Sequence, residues 1–164
     1  LRDQRLVTGR FDSRYTSPVR DPLSEGAERD PSADAVFSVF ASTFNDYVRT
    51  TLKFEEDRSY TILGGVGRWN WSAENGYADV SETLADTMTA NPFLKVHVSN
   101  GYFDMATPYF ATRYTINHLR LPSALLKNIV QDDYTAGHMM YLNLPDLRKQ
   151  KADLAKFLKS AVAP

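Results

Sequence analysis

The chain has 164 residues, enough for about one domain, and its 19 Lys and Arg nearly balance 20 Asp and Glu to give a net charge of −1. This balance gives no electrostatic reason to expect nucleic acid or an anionic membrane surface as a partner, and no apolar stretch is long enough to span a bilayer. The absence of cysteine excludes disulfides, thiol nucleophiles and thiolate metal sites, but it leaves the compartment open.

The first third of the chain divides into a loop and a long helix. Residues 1–31 contain several Arg, Pro and Gly without a sustained period, which predicts an extended loop with at most a short turn. Ser32 is a suitable N-cap for a long amphipathic helix. Apolar and aromatic residues recur there at helical spacing, at Val36, Phe37, Phe40, Phe44, Tyr47, Val48 and Leu52. A stripe of this kind is more typical of a core or domain contact than of a cofactor site.

The middle of the chain predicts a short strand, a turn and a second helix. The strand is expected at Tyr60–Leu63 and the turn at the glycines of residues 64–67. These glycines do not form a phosphate loop, because the Lys-Ser/Thr pair and the following helix are missing. The second helix is expected from Ser81 to Thr89, before Asn-Pro ends it.

The carboxyl-terminal half alternates strands and helices. Strands are predicted at Leu94–Ser99 and Ala124–Val130, and helices at Thr107–Leu119 and Pro145–Leu158. This β-α-β-α series predicts an α/β fold with parallel strands and flanking helices. Two strands cannot bury both of their faces, so we expect further strands to complete the sheet.

Two loops that leave the carboxyl ends of these strands carry the clearest chemistry. The first contains Asp104 in "NGYFDMATP" and the second contains His138 in "DDYTAGHMMYL". An acid and then a histidine, in this order on such loops, is how the α/β-hydrolase fold arranges the last two members of a Ser-Asp-His triad. An imidazole can take the proton of a serine hydroxyl, while a carboxylate on its other nitrogen stabilises the imidazolium. Taken alone, each residue also suits a structural role, Asp104 in a turn or helix cap and His138 in an exposed loop.

Four other ionisable residues have weaker patterns. His97 lies in a predicted strand and His118 near the end of a predicted helix, so structural roles are expected for both. Asp132 and Asp133 are possible metal ligands together with His138, but their spacing matches no metal-binding motif. We therefore expect no metal and no other cofactor.

A longer stretch of the sequence resembles a known family. The run "NPFLKVHVSNGYFDMATPYF" together with "AGHMMYL" closely resembles the carboxyl-terminal part of the serine carboxypeptidase family of α/β-hydrolases, in its bacterial branch. The upstream "WNW…GYADVSETLADTM" and the helix from Ser32 resemble that family's cap insertion and the segment after it. The resemblance implies a helical cap segment and connection at residues 1–78, followed by the carboxyl-terminal βαβα part of the hydrolase core at residues 79–164.

The resemblance also implies roles for individual residues. Asp104 matches the triad acid and His138 the triad base, and Met139 would line the leaving-group side of the substrate pocket unless it only packs. The family's nucleophile motif, Gly-Glu-Ser-Tyr-Gly or Ala, is absent, and no serine in the chain is flanked as G-x-S-x-G. The oxyanion donors of the family lie mostly in its preceding half. The chain is therefore expected to hold two of the three triad members.

The function implied by the resemblance is that of a serine carboxypeptidase-like hydrolase, which releases carboxyl-terminal residues from peptides through an acyl-enzyme. The serine is expected on a missing amino-terminal half, so the chain alone should be inactive. Two alternatives remain open: an acyltransferase of the same fold, and a noncatalytic fragment whose exposed apolar surface binds another chain or a second copy of itself. The resemblance further suggests a secreted or periplasmic location.

Overall fold

In a computed structural model, which describes residues 1–21, 29–58, 60–62 and 78–162, the chain is a mixture of helices and strands with a small parallel sheet. This architecture agrees with the predicted α/β class. Across these described ranges, no helix is both long enough and apolar enough to cross a membrane.

The first residues form a β-hairpin where an extended loop was predicted. Strand β1 (Leu6–Thr8) pairs antiparallel with β2 (Thr16–Pro18), and residues 9–15 connect them. A one-turn 3-10 helix, Arg2–Gln4, precedes the hairpin. The prediction of a loop was wrong. β-Branched residues lie on both sides of a connection that contains Gly, Asp and Ser, and this pattern is typical of hairpins.

Helix α1 (Pro31–Thr50) confirms the long helix, but its cap differs from the prediction. The carboxylate of Asp30, not Ser32, caps it by accepting the backbone N–H groups of Ser32 and Ala33. Burial within the helix is confined to its first two turns, at Pro31, Ser32, Ala33 and Val36. The aromatic stripe beyond them is largely exposed in the described part of the chain.

The segment after α1 contains a further difference. The predicted strand Tyr60–Leu63 is wrong at residues 60–62, which form no strand, while Leu63 and the predicted turn at 64–67 lie outside the described residues. Helix α2 (Ser81–Ala90) then confirms the second predicted helix. The Asp79 carboxylate accepts the Ser81 N–H at 2.9 Å and helps to start it.

Strands β3 (Val96–Gly101) and β4 (Ile129–Tyr134) pair in parallel, as predicted. Helix α3 (Tyr109–Asn117) follows β3, and helix α5 (Leu144–Val162) follows β4. Within the described ranges, no third strand pairs with either of them.

The second strand begins later than predicted. A single turn of helix, α4 (Ser123–Leu126), lies where a strand was expected from Ala124, and β4 starts only at Ile129. The prediction was wrong because an Ala-Leu-Leu run is apolar in either structure, while Ala and Leu favour helix and the preceding Pro122 is pre-set for a turn.

Two small cores hold the elements together. One lies under α2 and α3 and consists of Met88, Ile116, Leu119 and Leu121, with partly buried Leu84, Val96, Val98 and Ile129 around it. The other lies at the carboxyl end of β4 and consists of Tyr134, Ala136 and Met140. The second core includes the last residue of β4 and a residue of the loop that follows, so this loop begins among buried side chains.

Candidate active site

Asp104 and His138 are hydrogen-bonded to each other at the carboxyl edge of the sheet. Nδ1 of His138 lies 2.8 Å from Oδ2 of Asp104. Asp104 follows β3 and His138 follows β4, and because these strands are parallel neighbours their outgoing loops meet on the same side. The predicted convergence of the two side chains is confirmed.

Two glycines allow close backbone approaches at the site, Gly101 to the loop that carries His138 and Gly137 to the hairpin connection. A Cβ atom on Gly101 would collide with the carbonyl oxygen of Gly137, and one on Gly137 would collide with the carbonyl oxygen of Phe11. The ladder of the sheet also continues past both strands, since the Phe103 N–H donates to the carbonyl of Ala136 at 3.1 Å. The loops are thus joined through their backbones before the side chains meet.

The Asp104 carboxylate is buried and fully engaged. The residue is 3% exposed, and Oδ1 accepts the backbone N–H groups of Ala106 and Thr107 at 2.8 and 2.9 Å. Oδ2 accepts the Thr107 hydroxyl at 2.7 Å as well as the His138 imidazole. Burial raises the pKa of this carboxyl, but the hydrogen bonds from Thr107, His138 and Ala106 outweigh burial and hold the pKa below its ordinary value. Asp104 is therefore ionised at neutral pH.

His138 presents one nitrogen to Asp104 and the other outward. An ionised carboxylate can only accept, so the proton of a neutral His138 ring lies on Nδ1 and Nε2 keeps its lone pair. Nε2 has no hydrogen-bond partner among the residues that the structure describes, and the side chain is 42% exposed. The ring of Phe11 lies against the imidazole, with centroids 5.4 Å apart. This arrangement can take a proton at Nε2 while Asp104 stabilises the resulting cation.

The hairpin connection is a part of the site that sequence reasoning missed. The Phe11 carbonyl accepts the backbone N–H of His138 at 2.7 Å, and the Arg10 carbonyl accepts that of Met105 at 3.0 Å. The hairpin pattern noted above was the local signal for an ordered segment here. Its contact with the two loops had no signal in the sequence, because backbone carbonyls of any residue can make it.

A cavity of about 410 Å³ opens beside His138. Met139 lies on its wall, as expected for a residue next to a substrate pocket, although a ligand-binding role for Met139 stays a prediction. Asp104 and His138 are not among its lining residues, so the cavity lies beside the pair. The other walls are formed mainly by Phe11, Val36, Ala136, Leu142, Tyr15 and the Asp12–Arg14 ion pair. This lining suits an apolar or aromatic side chain.

Asp132 and Asp133 lie within β4 and not in the loop where they were expected. Oδ2 of Asp132 is 2.8 Å from Nε2 of His97, and Asp133 forms an ion pair with Arg113. Within the described part of the chain, no group of three or more His, Cys, Asp or Glu side chains could hold a metal ion. Asp132 and Asp133 thus pair with His97 and Arg113 and not with His138.

The other two histidines have structural contacts. The His97 ring is stacked on Phe157 of α5, with centroids 5.1 Å apart, and so ties the last helix to the sheet. Nδ1 of His118 bonds the carbonyl of Tyr114 at 2.7 Å at the end of α3. Neither contact needs a ligand to explain it.

Comparison with models of protein families, with curated proteins and with solved structures finds no match for this chain. The inference of function therefore depends on the side chains themselves. What they form is a carboxylate and an imidazole held in hydrogen-bond contact, with no partner for Nε2 among the described residues.

Proposed function

We propose that this chain supplies the acid and the base of a Ser-His-Asp triad in a hydrolase that resembles the serine carboxypeptidases, with the serine on another polypeptide segment. The observation that carries the proposal is the contact of 2.8 Å between Nδ1 of His138 and Oδ2 of Asp104. A buried, ionised carboxylate on Nδ1 selects the tautomer that a general base needs.

In the proposed mechanism, Nε2 of His138 carries the proton in each step. Nε2 of His138 takes the proton of the serine hydroxyl as the serine oxygen attacks the carbonyl carbon of the last peptide bond. The imidazolium, stabilised by Asp104, then gives that proton to the leaving amine, and the carboxyl-terminal residue departs. His138 next deprotonates a water molecule, which hydrolyses the acyl-enzyme and regenerates the serine. Asp104 stays ionised throughout, in agreement with its lowered pKa.

The exposure of Nε2 supports a nucleophile that comes from elsewhere. No serine hydroxyl of the described residues hydrogen-bonds to His138, and its side chain is 42% exposed. The sheet supports the same inference, because in the described ranges β3 and β4 pair only with each other. A two-stranded parallel sheet is not stable by itself, and an additional strand beside it could deliver a serine to the same edge.

A peptide substrate is supported by the cavity beside His138. Its lining includes Gly137 and Met139, the chain neighbours of His138 on either side. The proposal therefore places the side chain of the departing residue against Met139.

The test uses the chain joined to the segment that carries the serine. We expect this enzyme to release the last residue from an amino-blocked dipeptide with a free carboxyl terminus. His138→Ala and Asp104→Asn should lower kcat by roughly 10³-fold or more, since both remove the base or its orientation. The control His118→Ala removes an imidazole remote from the site and should leave kcat unchanged. Full activity of His138→Ala would overturn the proposal.

The same enzyme separates hydrolysis from acyl transfer, which uses the same triad. An added alcohol competes with water for the acyl-enzyme, so the ratio of ester to acid product measures the preference of the site. We expect the acid to predominate. Predominant ester at a modest alcohol concentration would favour the acyltransferase alternative.

A further inference from the structure

The hairpin connection, residues 9–15, bonds to both loops of the candidate site. We call residues 102–108 the acid loop and residues 135–139 the histidine loop. The Ser13 N–H donates to the Phe103 carbonyl of the acid loop at 2.9 Å. The His138 N–H of the histidine loop donates to the Phe11 carbonyl at 2.7 Å. One short segment therefore contacts the two loops whose side chains must meet.

Arg14 connects the hairpin to both loops through its side chain. Its guanidinium donates to both carboxylate oxygens of Asp12, at 2.9 and 2.6 Å, and to the Thr135 carbonyl at 3.0 Å. Its flat face lies over the Phe103 ring, with 4.4 Å from Cζ to the centroid. The forked geometry of Arg lets one side chain hold the hairpin, the histidine loop and the acid loop together.

Asp12 extends this connection. Its side chain is only 13% exposed, and it accepts the backbone N–H of Arg14 at 3.0 Å. Burial raises the pKa of the Asp12 carboxyl, but Arg14 and the Gly137 N–H outweigh burial and keep the pKa below its ordinary value. Asp12 also packs closely against Gly137, the residue directly before His138, since a Cβ on Gly137 would collide with Cα and Cβ of Asp12.

We propose that Asp12 and Arg14 are positioning residues, which set the distance between His138 and Asp104 by holding the histidine loop against the acid loop. The effect of this positioning on catalysis rests on the proposed function, whereas its effect on the geometry of the two loops does not. The bond from the Phe103 N–H to the Ala136 carbonyl joins the two loops at one point, and the bonds to the hairpin restrict the rest of each loop. A hydrogen bond is lost within a shift of about 1 Å, so keeping the contact of 2.8 Å requires both restraints. Asp12 and Arg14 make no contact with either ring nitrogen of His138, and they act only through the loops.

The test is the tautomer of His138 in the isolated chain, read from its ring-nitrogen NMR shifts at a pH where the ring is neutral. Wild-type protein should show the Nδ1–H form, and Asp104→Asn should lose it. Arg14→Gln and Asp12→Asn should also lose it and move toward the Nε2–H form that an unrestrained imidazole prefers. Retention of the Nδ1–H form in folded Arg14→Gln would overturn the proposal.

Arg113→Gln is the matched control. The Arg113–Asp133 ion pair has side-chain exposures of 43% and 13%, against 44% and 13% for Arg14–Asp12, and Arg113 also lies over an aromatic ring. Its loss should leave the His138 tautomer unchanged. An equal loss of the Nδ1–H form in this control would mean that general destabilisation moves the tautomer, and the proposal would fail.

Amide exchange in the wild-type chain provides a second measurement if Arg14→Gln does not fold. A segment that holds both loops must open with them, so the N–H groups of Ser13, Met105 and His138 should share one protection factor. Fast exchange of His138 beside a protected Ser13 would overturn the proposal. Neither readout needs activity. If the joined wild-type enzyme is inactive while Arg14→Gln shifts the tautomer, only the proposed function is contradicted. If the wild-type enzyme is active while Arg14→Gln leaves the tautomer unshifted, only the positioning is contradicted.

Discussion

Asp104 and His138 differ sharply in exposure although they share a hydrogen bond. The aspartate side chain is 2% exposed and the histidine side chain 42%, with 2.8 Å between Oδ2 and Nδ1. The carboxylate end of the bond is thus buried, while Nε2 has no hydrogen-bond partner among the described residues. This asymmetry makes the pair suited to moving protons, since the buried carboxylate holds its charge and the exposed nitrogen exchanges a proton with whatever approaches it.

The first prediction concerns acid stability. Because the folded-state pKa of Asp104 is lowered, its contribution is fully present above the ordinary carboxyl value of 3.8 and is lost as the pH falls through the lower folded-state pKa. We expect the thermal midpoint of wild-type protein to fall more steeply below about pH 4 than that of Asp104→Asn. Circular dichroism melts across this range measure both slopes. Asp46→Asn, at an exposed position of α1, should keep the wild-type slope, and identical slopes for Asp104→Asn and wild type would contradict the prediction.

The second prediction concerns the close approach of the loops. Gly137→Ala would place a Cβ against the Phe11 carbonyl and the backbone of Asp12, neither of which can rotate away. We expect a loss of about 1–3 kcal/mol in the free energy of unfolding, measured by urea titration. Ala152→Ser also adds one heavy atom, but at an exposed position of α5, and should change the stability by less than about 0.5 kcal/mol. A Gly137→Ala protein as stable as this control would show that the histidine loop lies further from the hairpin connection.

The third prediction concerns the missing nucleophile. A base and its orienting acid have nothing to activate without a serine at Nε2, so the isolated chain should neither hydrolyse blocked dipeptides nor react with a fluorophosphonate probe. Intact-mass measurement after incubation with the probe detects any adduct, and an active serine hydrolase in the same tube shows that the probe is competent. Stoichiometric labelling of a serine in this chain would contradict the prediction.

The fourth prediction concerns association. The described part of α1 and the residues after it leave large apolar side chains 41–57% exposed, at Phe40, Phe44, Tyr47, Leu52 and Phe54. Surface of this kind is normally covered by another chain or a second copy. We expect sedimentation velocity to show self-association in the micromolar range, and Phe44→Ser to weaken it. Thr43→Ser, at the neighbouring exposed position, is the control. A clean monomer that binds no hydrophobic dye would contradict the prediction.

The sequence by itself was sufficient for the elements that depend on local pattern. Helical periodicity predicted α1, α2 and α5, and a short apolar run predicted β3 to within a few residues. The meeting of Asp104 and His138 was also predictable, because parallel neighbouring strands bring their outgoing loops to one edge whatever the loops contain. Local pattern failed at the hairpin and at residues 60–62, and it failed at α4 because Ala-Leu-Leu fits a strand or a helical turn.

Only the tertiary structure decided how the hairpin meets the site. Arg14 donates to the carbonyl of Thr135 across 121 positions of sequence, and Phe11 accepts from His138 over a similar span. Bonds to backbone carbonyls carry no residue code, so nothing in the pattern of residues 1–31 indicates which loop they reach. These hydrogen bonds can form only when β3 and β4 are paired, because that pairing brings the two loops to the positions that the hairpin contacts. For that reason the meeting of Asp104 and His138 could be predicted from the sequence, while the contacts of the hairpin with their two loops could not.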